Sequence, residues 1–260
     1  MSAHYTHFSN VSQNIQRERY YKMSYKLLDL FCGAGGCSEG YKLAGFEITG
    51  VDIEPQNKYP YRFIQSDAFA FLKTSGHLFD AVHASPPCQG YSHLTPKKCR
   101  SNHPLLISTI RDALVANNKP YVIENVAGAK SQLHNPTMLC GSMFSLRCFR
   151  HRFFESSFPF QPPAACNHNF VPLLVTTASK ASRALRKKLG MPPKTVLNAP
   201  LAYGINWMDF RGLKEAVPPA YTRYIGGQLI NYLESLNSSA KCGIKTTAHL
   251  SDVVFNFLGF

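Results

Sequence analysis

The chain has 260 residues, 45% of them hydrophobic, and carries 28 Lys or Arg against 15 Asp or Glu, a formal charge of +13. That size and apolar content suit one folded domain with a modest appendage, or two small domains, with a sizeable core. No run of about 18 apolar residues occurs, which excludes a long apolar membrane-spanning helix, and the charge points to a polyanionic partner, nucleic acid before an acidic membrane surface.

Residues 1–24 are polar and tyrosine-rich, without the apolar centre of a secretory signal, and read as a flexible extension in which Met23 offers an alternative start. Lys26 to Phe31 has the short apolar run of a buried parallel strand. Cys32-Gly33-Ala34-Gly35-Gly36 follows at once, then a helix over Ser38 to Leu43 closed by Gly45. Strand, glycine turn and helix open a nucleotide-binding βαβ unit, where glycines admit a ligand close to the backbone and the helix start offers N–H groups. Glu47 to Ile53 is the next strand. Asp52 stands about twenty positions after the glycine turn, where an acid can accept hydrogen bonds from ribose hydroxyls; a solvated strand-end residue is the alternative.

Arg62 to Gln65 reads as a third strand, and Ser66-Asp67 caps a helix over Ala68 to Leu72. Asp67 is placed as that cap or as an acceptor for an adenine amino group. Phe79 to Ala84 is a fourth strand that runs into Ser85-Pro86-Pro87-Cys88-Gln89-Gly90. The two prolines end regular pairing, so a thiol is presented at a strand's carboxyl end, where α/β folds place ligands. A buried structural cysteine in a turn is the competing reading.

After a polar, basic loop over Pro96 to Asn102, residues His103 to Asn118 read as a helix with Leu106, Ile110, Ala113 and Leu114 on one face. Tyr121-Val122-Ile123 is a fifth strand ending in Glu124-Asn125-Val126, which puts a carboxylate on the same side as Cys88. Pro136 to Phe144 predicts a short helix. Leu146 to Phe158 alternates, Arg150 and Arg152 against His151 and Phe153, and predicts strands with both arginines projecting to one side. They form a solvated basic face or a phosphate- or base-binding pair.

Arg147 to Arg223 holds 12 Lys or Arg and 3 Asp or Glu, so most of the net charge falls there. Within it, Gln161 to Lys194 reads as a small, loop-rich, basic insert. Asn198 to Trp207 connects back to the body, Leu213 to Val217 is a short helix, and Pro218-Pro219 starts a helix over Ala220 to Leu236. Ile225, Leu229, Tyr232, Leu233 and Leu236 share one face of it. Residues 237–260 are a tail with an apolar end, Val253 to Leu258. The expected map is thus an extension (1–24), a body (25–160), an insert (161–197), a return to the body (198–236) and a tail (237–260). The eight cysteines include no CxxC pair and read as reduced thiols of an intracellular protein. Cys166-Asn167-His168 offers two metal ligands, but a four-ligand set is not evident, and no metal is expected.

A glycine-turn adenosine pocket with an acidic residue and no GxxxxGK fits S-adenosylmethionine, which has a ribose diol and a positive sulfonium and lacks phosphates. The Gly33-Ala34-Gly35-Gly36 spacing also lacks the GxGxxG of nicotinamide enzymes. Methylating C5 of cytosine needs a nucleophile to make that carbon electron-rich. A thiolate adding at C6 does so, and a carboxylic acid near N3 stabilises the adduct. Cys88 and Glu124 have the chemistry for those two roles.

The chain resembles the DNA (cytosine-5) methyltransferases. Leu28-Asp29-Leu30-Phe31-Cys32-Gly33-Ala34-Gly35-Gly36 resembles the family's cofactor motif, Pro86-Pro87-Cys88-Gln89 its nucleophile motif, Glu124-Asn125-Val126 its glutamate motif and Arg150-His151-Arg152 its arginine motif, in matching order over roughly residues 26–158. The resemblance implies an α/β, Rossmann-like class I methyltransferase sheet with helices on both faces and a small target-recognition insert. It implies S-adenosylmethionine held by Phe31, Gly33, Ala34, Gly35, Gly36, Asp52, Ile53, Asp67 and Pro86. Cys88 would then be the nucleophile, Glu124 the N3 partner, Arg152 a support for the cytosine and Arg150 its companion. It further implies double-stranded DNA as partner, a base extruded from the duplex, no membrane, a monomer, and a place in the cytoplasm or nucleoid of a bacterial or virus-infected cell.

The chain departs from the pattern in three places. Cys148 stands where a glutamine usually precedes the arginines, Ile225-Gly226-Gly227-Gln228 lacks the usual asparagine, and the insert is short, as in compact bacteriophage members. A short or relaxed recognition sequence is expected. An RNA cytosine-5 methyltransferase and a DNA-binding homologue that has lost catalysis are the alternatives.

Overall fold

Strand β1 (Lys26–Leu30) is buried over four of its five residues, and its side chains divide between two cores. Leu27 packs with Tyr41, Phe46, Tyr221 and Ile225 on one side, whereas Leu28 and Leu30 pack with Leu72, Ile107 and Leu114 on the other. A strand with both faces apolar needs helices on both sides, and that requirement organises the molecule. The computed structural model describes residues 24–170 and 203–241. In chain order the elements are β1, α1 (Gly36–Ala44), β2 (Glu47–Asp52), β3 (Arg62–Gln65), α2 (Ala68–Ser75), β4 (Ala81–Ala84), α3 (Lys97–Arg100), α4 (Ile107–Asn117), β5 (Tyr121–Asn125), β6 (Thr137–Leu139), β7 (Arg152–Ser156), α5 (Phe210–Glu215) and α6 (Pro219–Lys241).

The strands form one sheet in the order β3-β2-β1-β4-β5-β7-β6. β1 to β5 are parallel, and β7 lies antiparallel to both β5 and β6. The order reverses between β1 and β4, so the loops after these two strands open a crevice at their carboxyl ends. One loop is the glycine turn and the other carries Cys88. Helices α1 and α6 cover one face, and α2 and α4 the other, as the sequence implied. α1 and α6 approach closely because Gly40 has no side chain: a Cβ there would meet Thr222 Oγ1 at 2.0 Å. Thr222 Oγ1 donates to Cys37 O at 2.8 Å across the same contact.

The expected elements hold for β1 to β5 and for α1, α2, α4, α5 and α6, with shifts of a few residues at the ends. α6 runs on to Lys241, five residues past its expected end at Leu236, so the first residues assigned to the tail are helical. Three expectations fail. The basic loop expected over Pro96 to Asn102 contains the short helix α3, and the helix expected from His103 starts at Ile107. Pro136 to Phe144 is not a helix; it forms β6 and then a 3-10 turn over Gly141–Phe144. The strand expected over Leu146 to Phe158 is shorter and begins at Arg152. In the last two cases the pairing of β6 with β7, Thr137 opposite Phe154 and Leu139 opposite Arg152, decides the structure, and such non-local pairing leaves little trace in local periodicity. The extension at 1–23, most of the basic insert and the apolar end of the tail lie outside the described residues. Among the described residues, no helix is long and apolar enough to cross a membrane.

Candidate active site

The turn after β1 is the most constrained backbone in the site. Phe31 adopts φ +57° and Gly33 φ +48°. The left-handed region is uncommon for an aromatic residue and carries a strain of about 1 kcal/mol or more. It turns the Phe31 ring out of the strand and edge-on against Phe69, at 6.2 Å between centroids. Gly33 N donates to Asp52 Oδ2 at 2.9 Å, and Glu54 N donates to Asp52 Oδ1 at 3.0 Å. Asp52 therefore ties the glycine turn to the end of β2. A Cβ built on Gly33 would meet nothing within 4 Å, so this backbone faces open space. Ile53 lies beside it, 65% exposed.

Ala34 and Gly36 face the other way. Ala34 O accepts from Trp207 Nε1 at 3.0 Å, and a Cβ on Gly36 would sit 2.6 Å from Val217 O. Both join the turn to the returning chain. Gly35, at φ +90°, lies against the Tyr59 ring. Asp67 caps α2, its Oδ1 accepting from Ala70 N at 2.9 Å. The cap reading thus holds for one of its oxygens.

Cys88 follows β4 by four residues and is part-buried. Its carbonyl accepts from Tyr91 N at 3.0 Å and Ser92 N at 2.9 Å, which curls the loop directly behind it. Pro86 O accepts from Asn125 Nδ2 at 2.9 Å, and Asn125 Oδ1 accepts from Val126 N at 2.9 Å. Asn125 is fixed at both ends of its amide and latches the cysteine loop to the end of β5. The sequence reading gave it no role. Its signal is its place directly after Glu124, where a buried amide at a strand end must find partners.

Glu124 and Arg152 meet because of register. Glu124 pairs with Phe154 across β5 and β7, so Arg152, two residues earlier in β7, is its diagonal neighbour on the same face. Arg152 Nε lies 2.9 Å from Glu124 Oε1, with both side chains largely buried. The N–H is not aimed at that oxygen, and Oε1 has no aligned hydrogen bond. Arg152 Nη1 instead donates to His151 O at 3.0 Å. Arg150 is turned toward the returning chain: Nη1 donates to Tyr203 OH at 3.2 Å, Nη2 to Lys214 O at 2.6 Å, and the guanidinium lies over the Tyr203 ring.

Burial pushes the Glu124 carboxyl above its ordinary value, while Arg152, Ser85 and Arg150 pull it down. Burial also pushes the Cys88 thiol up. The Glu124 charge adds to that effect, and Arg152 and Arg150 oppose it. The two acids therefore compete for one negative charge. Beneath them, Asp29 is fully buried, and its Oδ2 accepts from Ser38 Oγ. Burial, with smaller contributions from Asp52 and Glu124, raises the Asp29 carboxyl to about 7.

One gathering of side chains went unseen in the sequence. Cys140, His151, Cys166 and His168 bring one ligand atom each to within 4.8 Å of one another. Cys166 and His168 had been singled out, but Cys140 and His151 stand on separate segments.

Residues 25–140 match the family of C-5 cytosine-specific DNA methylases. The match includes Cys88 and Glu124 and ends before Arg152. The Type II methyltransferase M1.HphI of Haemophilus parahaemolyticus is 35% identical over 127 residues, 41% of this chain and 34% of that protein. The Type II methylase M.HgiDII of Herpetosiphon aurantiacus is 32% identical over 117 residues, 38% of this chain and 32% of that protein. The chain thus spans about a third of the length of these curated relatives. Among solved structures, the Entamoeba histolytica methyltransferase EhMeth aligns over 83% of this chain and 99% of its own, with TM-score 0.50 and 14% identity. The S. pombe Dnmt2 methyltransferase aligns over 82% and 99%, with TM-score 0.50 and 14% identity. These likenesses show the fold alone, an α/β, Rossmann-like sheet. Over residues 25–140, the chain is similar to the C-5 cytosine-specific DNA methylases.

Proposed function

We propose that this chain transfers a methyl group from S-adenosylmethionine to C5 of cytosine in double-stranded DNA, through a transient bond between Cys88 Sγ and C6 of a base turned out of the duplex. The observation that carries the reading is the buried Glu124 Oε1, 2.9 Å from Arg152 Nε yet without an aligned hydrogen bond, in electrostatic contact with Cys88. Oε1 is balanced in charge by Arg152 but lacks an aligned hydrogen bond, and a ligand donor aimed at the carboxyl would supply one. The N3 edge and amino group of cytosine offer one acceptor and two donors, which suit a carboxyl that takes up and gives a proton.

The competition between Cys88 and Glu124 supplies the proton logic. Burial and the Glu124 charge favour the protonated thiol, and Arg152 and Arg150 favour the ionised carboxyl. With the proton moved to Glu124, the thiolate adds to C6, forming the S–C6 bond, and N3 takes the proton from the carboxyl. The negative charge thus returns to Glu124, beside Arg152. The bound cofactor would supply an electrophilic methyl on a sulfonium. Loss of the C5 proton to a base then lets the S–C6 bond break, with its electron pair returning to sulfur, while N3 gives its proton back to Glu124, from which the thiolate is reprotonated.

The glycine turn fits that cofactor on its own geometry, because Gly33 faces open space beside the exposed Ile53 and the strained Phe31. Phe31, Gly33, Ala34, Gly35, Asp52, Ile53, Asp67 and Pro86 would hold it, and Gly36 would serve by seating the turn on the returning chain. The basic insert would carry the contacts to DNA, and its shortness favours a short or relaxed recognition sequence. Incubating the protein with labelled S-adenosylmethionine and duplex DNA, then sequencing for 5-methylcytosine, tests the reading. Wild type should yield product, and Cys88→Ser should lose activity by at least about 10³-fold with an unchanged circular dichroism spectrum. DNA and cofactor binding without 5-methylcytosine would overturn the reading, and product on transfer RNA alone would move the substrate to RNA.

A further inference from the structure

We propose that Cys140, His151, Cys166 and His168 form a structural zinc site that clamps the start of the basic insert to the body beside Arg152. Cys140 ends the β6 segment, His151 directly precedes β7, and Cys166 and His168 stand where the chain enters the insert. Cys166 Sγ lies 3.0 Å from His168 Nε2 and 3.4 Å from His151 Nε2, and Cys140 Sγ lies 3.4 Å from His168 Nε2. A tetrahedral zinc with bonds of about 2.3 Å to sulfur and 2.0–2.1 Å to nitrogen sets sulfur and nitrogen about 3.6 Å apart. The four atoms already stand close to that arrangement.

The surroundings are those of held ligands. Ser142 Oγ lies 3.2 Å from Cys140 Sγ and 3.8 Å from Cys166 Sγ, and accepts from Asn167 N at 3.1 Å. One hydroxyl is thus placed to donate to either sulfur, the support that metal thiolates need. The His168 ring stacks on Phe149 at 4.0 Å between centroids and on His151 at 5.1 Å. Two thiolates and two imidazoles select zinc over the hard cations, and four protein ligands leave no open position for catalysis. The site is therefore structural. Its effect on the active centre runs through His151, whose carbonyl accepts from Arg152 Nη1. A metal bound to the His151 ring would hold that carbonyl, and so the guanidinium, in place beside Glu124. It would also fix residues 166–168, from which the insert departs.

The test is made on the full-length, untagged protein, reduced and dialysed against metal-free buffer after purification. Elemental analysis should find about one zinc per chain. Cobalt added to stripped wild-type protein should give the visible bands of a tetrahedral site together with thiolate charge transfer. Removing zinc with a chelator should lower Tm by roughly 5–10 °C, reversed by zinc addition. Cys166→Ser and His168→Ala should each lose the metal, while Cys99→Ser, outside the cluster, should keep a full equivalent. Reduced wild type that binds neither zinc stoichiometrically nor cobalt tetrahedrally overturns the proposal, as does Cys166→Ser that retains a full equivalent. Should the ligand variants be insoluble, the cobalt titration of wild type decides. None of these readouts needs methyl transfer, so the metal site and the activity stand or fall separately.

Discussion

The charge shared by Cys88 and Glu124 is a property of two residues, and it sets a measurable pH dependence. The negative charge of Glu124 holds the Cys88 thiol up, and Arg152 and Arg150 hold it down. Glu124→Gln removes the first influence and frees Arg152 to act on sulfur alone, so the thiol must become more acidic. The pH profile of Cys88 alkylation should shift to lower pH by about one unit or more, even as methyl transfer is lost. Alkylation unchanged or shifted upward would show that the two groups do not share a charge. At this scale the sequence was informative where the chemistry requires a particular residue type. The sequence singled out Cys88, Glu124 and Arg152 by residue type, and the structure sets Arg152 against Glu124 with both acting electrostatically on Cys88. Asn125 was not legible, because its role comes from the Pro86 carbonyl, 39 residues away. Alternation placed Arg150 and Arg152 on one side, yet Arg150 is anchored by Tyr203 and Lys214, and Arg152 pairs with Glu124.

At the level of elements, β7 is held by a buried ion pair. Arg111 of α4 donates to Glu155 through Nε at 2.7 Å and Nη2 at 2.6 Å. Glu155 also accepts from His134 N at 2.7 Å, and Arg111 Nη2 from the same guanidinium reaches Gln132 O at 2.6 Å. The network ties β7 to α4 and to the turn after β5, and so fixes the strand that carries Arg152. A buried pair with every partner satisfied is costly to break from one side. Glu155→Ala should lose about 3–5 kcal/mol, read from the denaturant midpoint. A loss below about 1 kcal/mol would mean that Arg111 finds another partner or water. Apolar runs marked β1, β4 and β5, and a 3.6-residue rhythm marked α6. β6 was invisible, because three residues gain strand character only by lying against β7. Half of the metal-ligand set was invisible for the same reason: Cys166 and His168 are close in the sequence, whereas Cys140 and His151 adjoin β6 and β7 and come together through that pairing.

The whole molecule carries two buried titratable groups whose effects on stability oppose each other. Asp29 is raised to about 7, so between pH 4 and 7 the native protein keeps a proton that the unfolded chain has lost. Stability from this group falls as pH rises through that window. His83, fully buried between Tyr41 and Ser85, is lowered by burial to about 3. Between pH 3 and 6.5 the unfolded chain binds a proton that the native protein does not, so stability from this group falls as pH falls. Between about pH 4 and 6.5 the two slopes, each about 1.4 kcal/mol per pH unit, cancel. Asp29→Asn removes one of them. Compared with wild type, the variant should lose stability more steeply as pH falls from 6 to 4, measured by denaturant unfolding at each pH. Parallel profiles would show that Asp29 ionises normally.

The contact of α1 with α6 has a consequence for synthesis on the ribosome. Cys37 and Thr222 are bonded across 185 residues, and the apolar side chains of Tyr41, Phe46 and Ile48 are covered by Tyr221, Ile225 and Leu229. At the usual translation speed the first βαβ unit waits roughly 10–40 seconds for the helix that closes it. Over that interval its greasy side is bare, a natural footing for a chaperone.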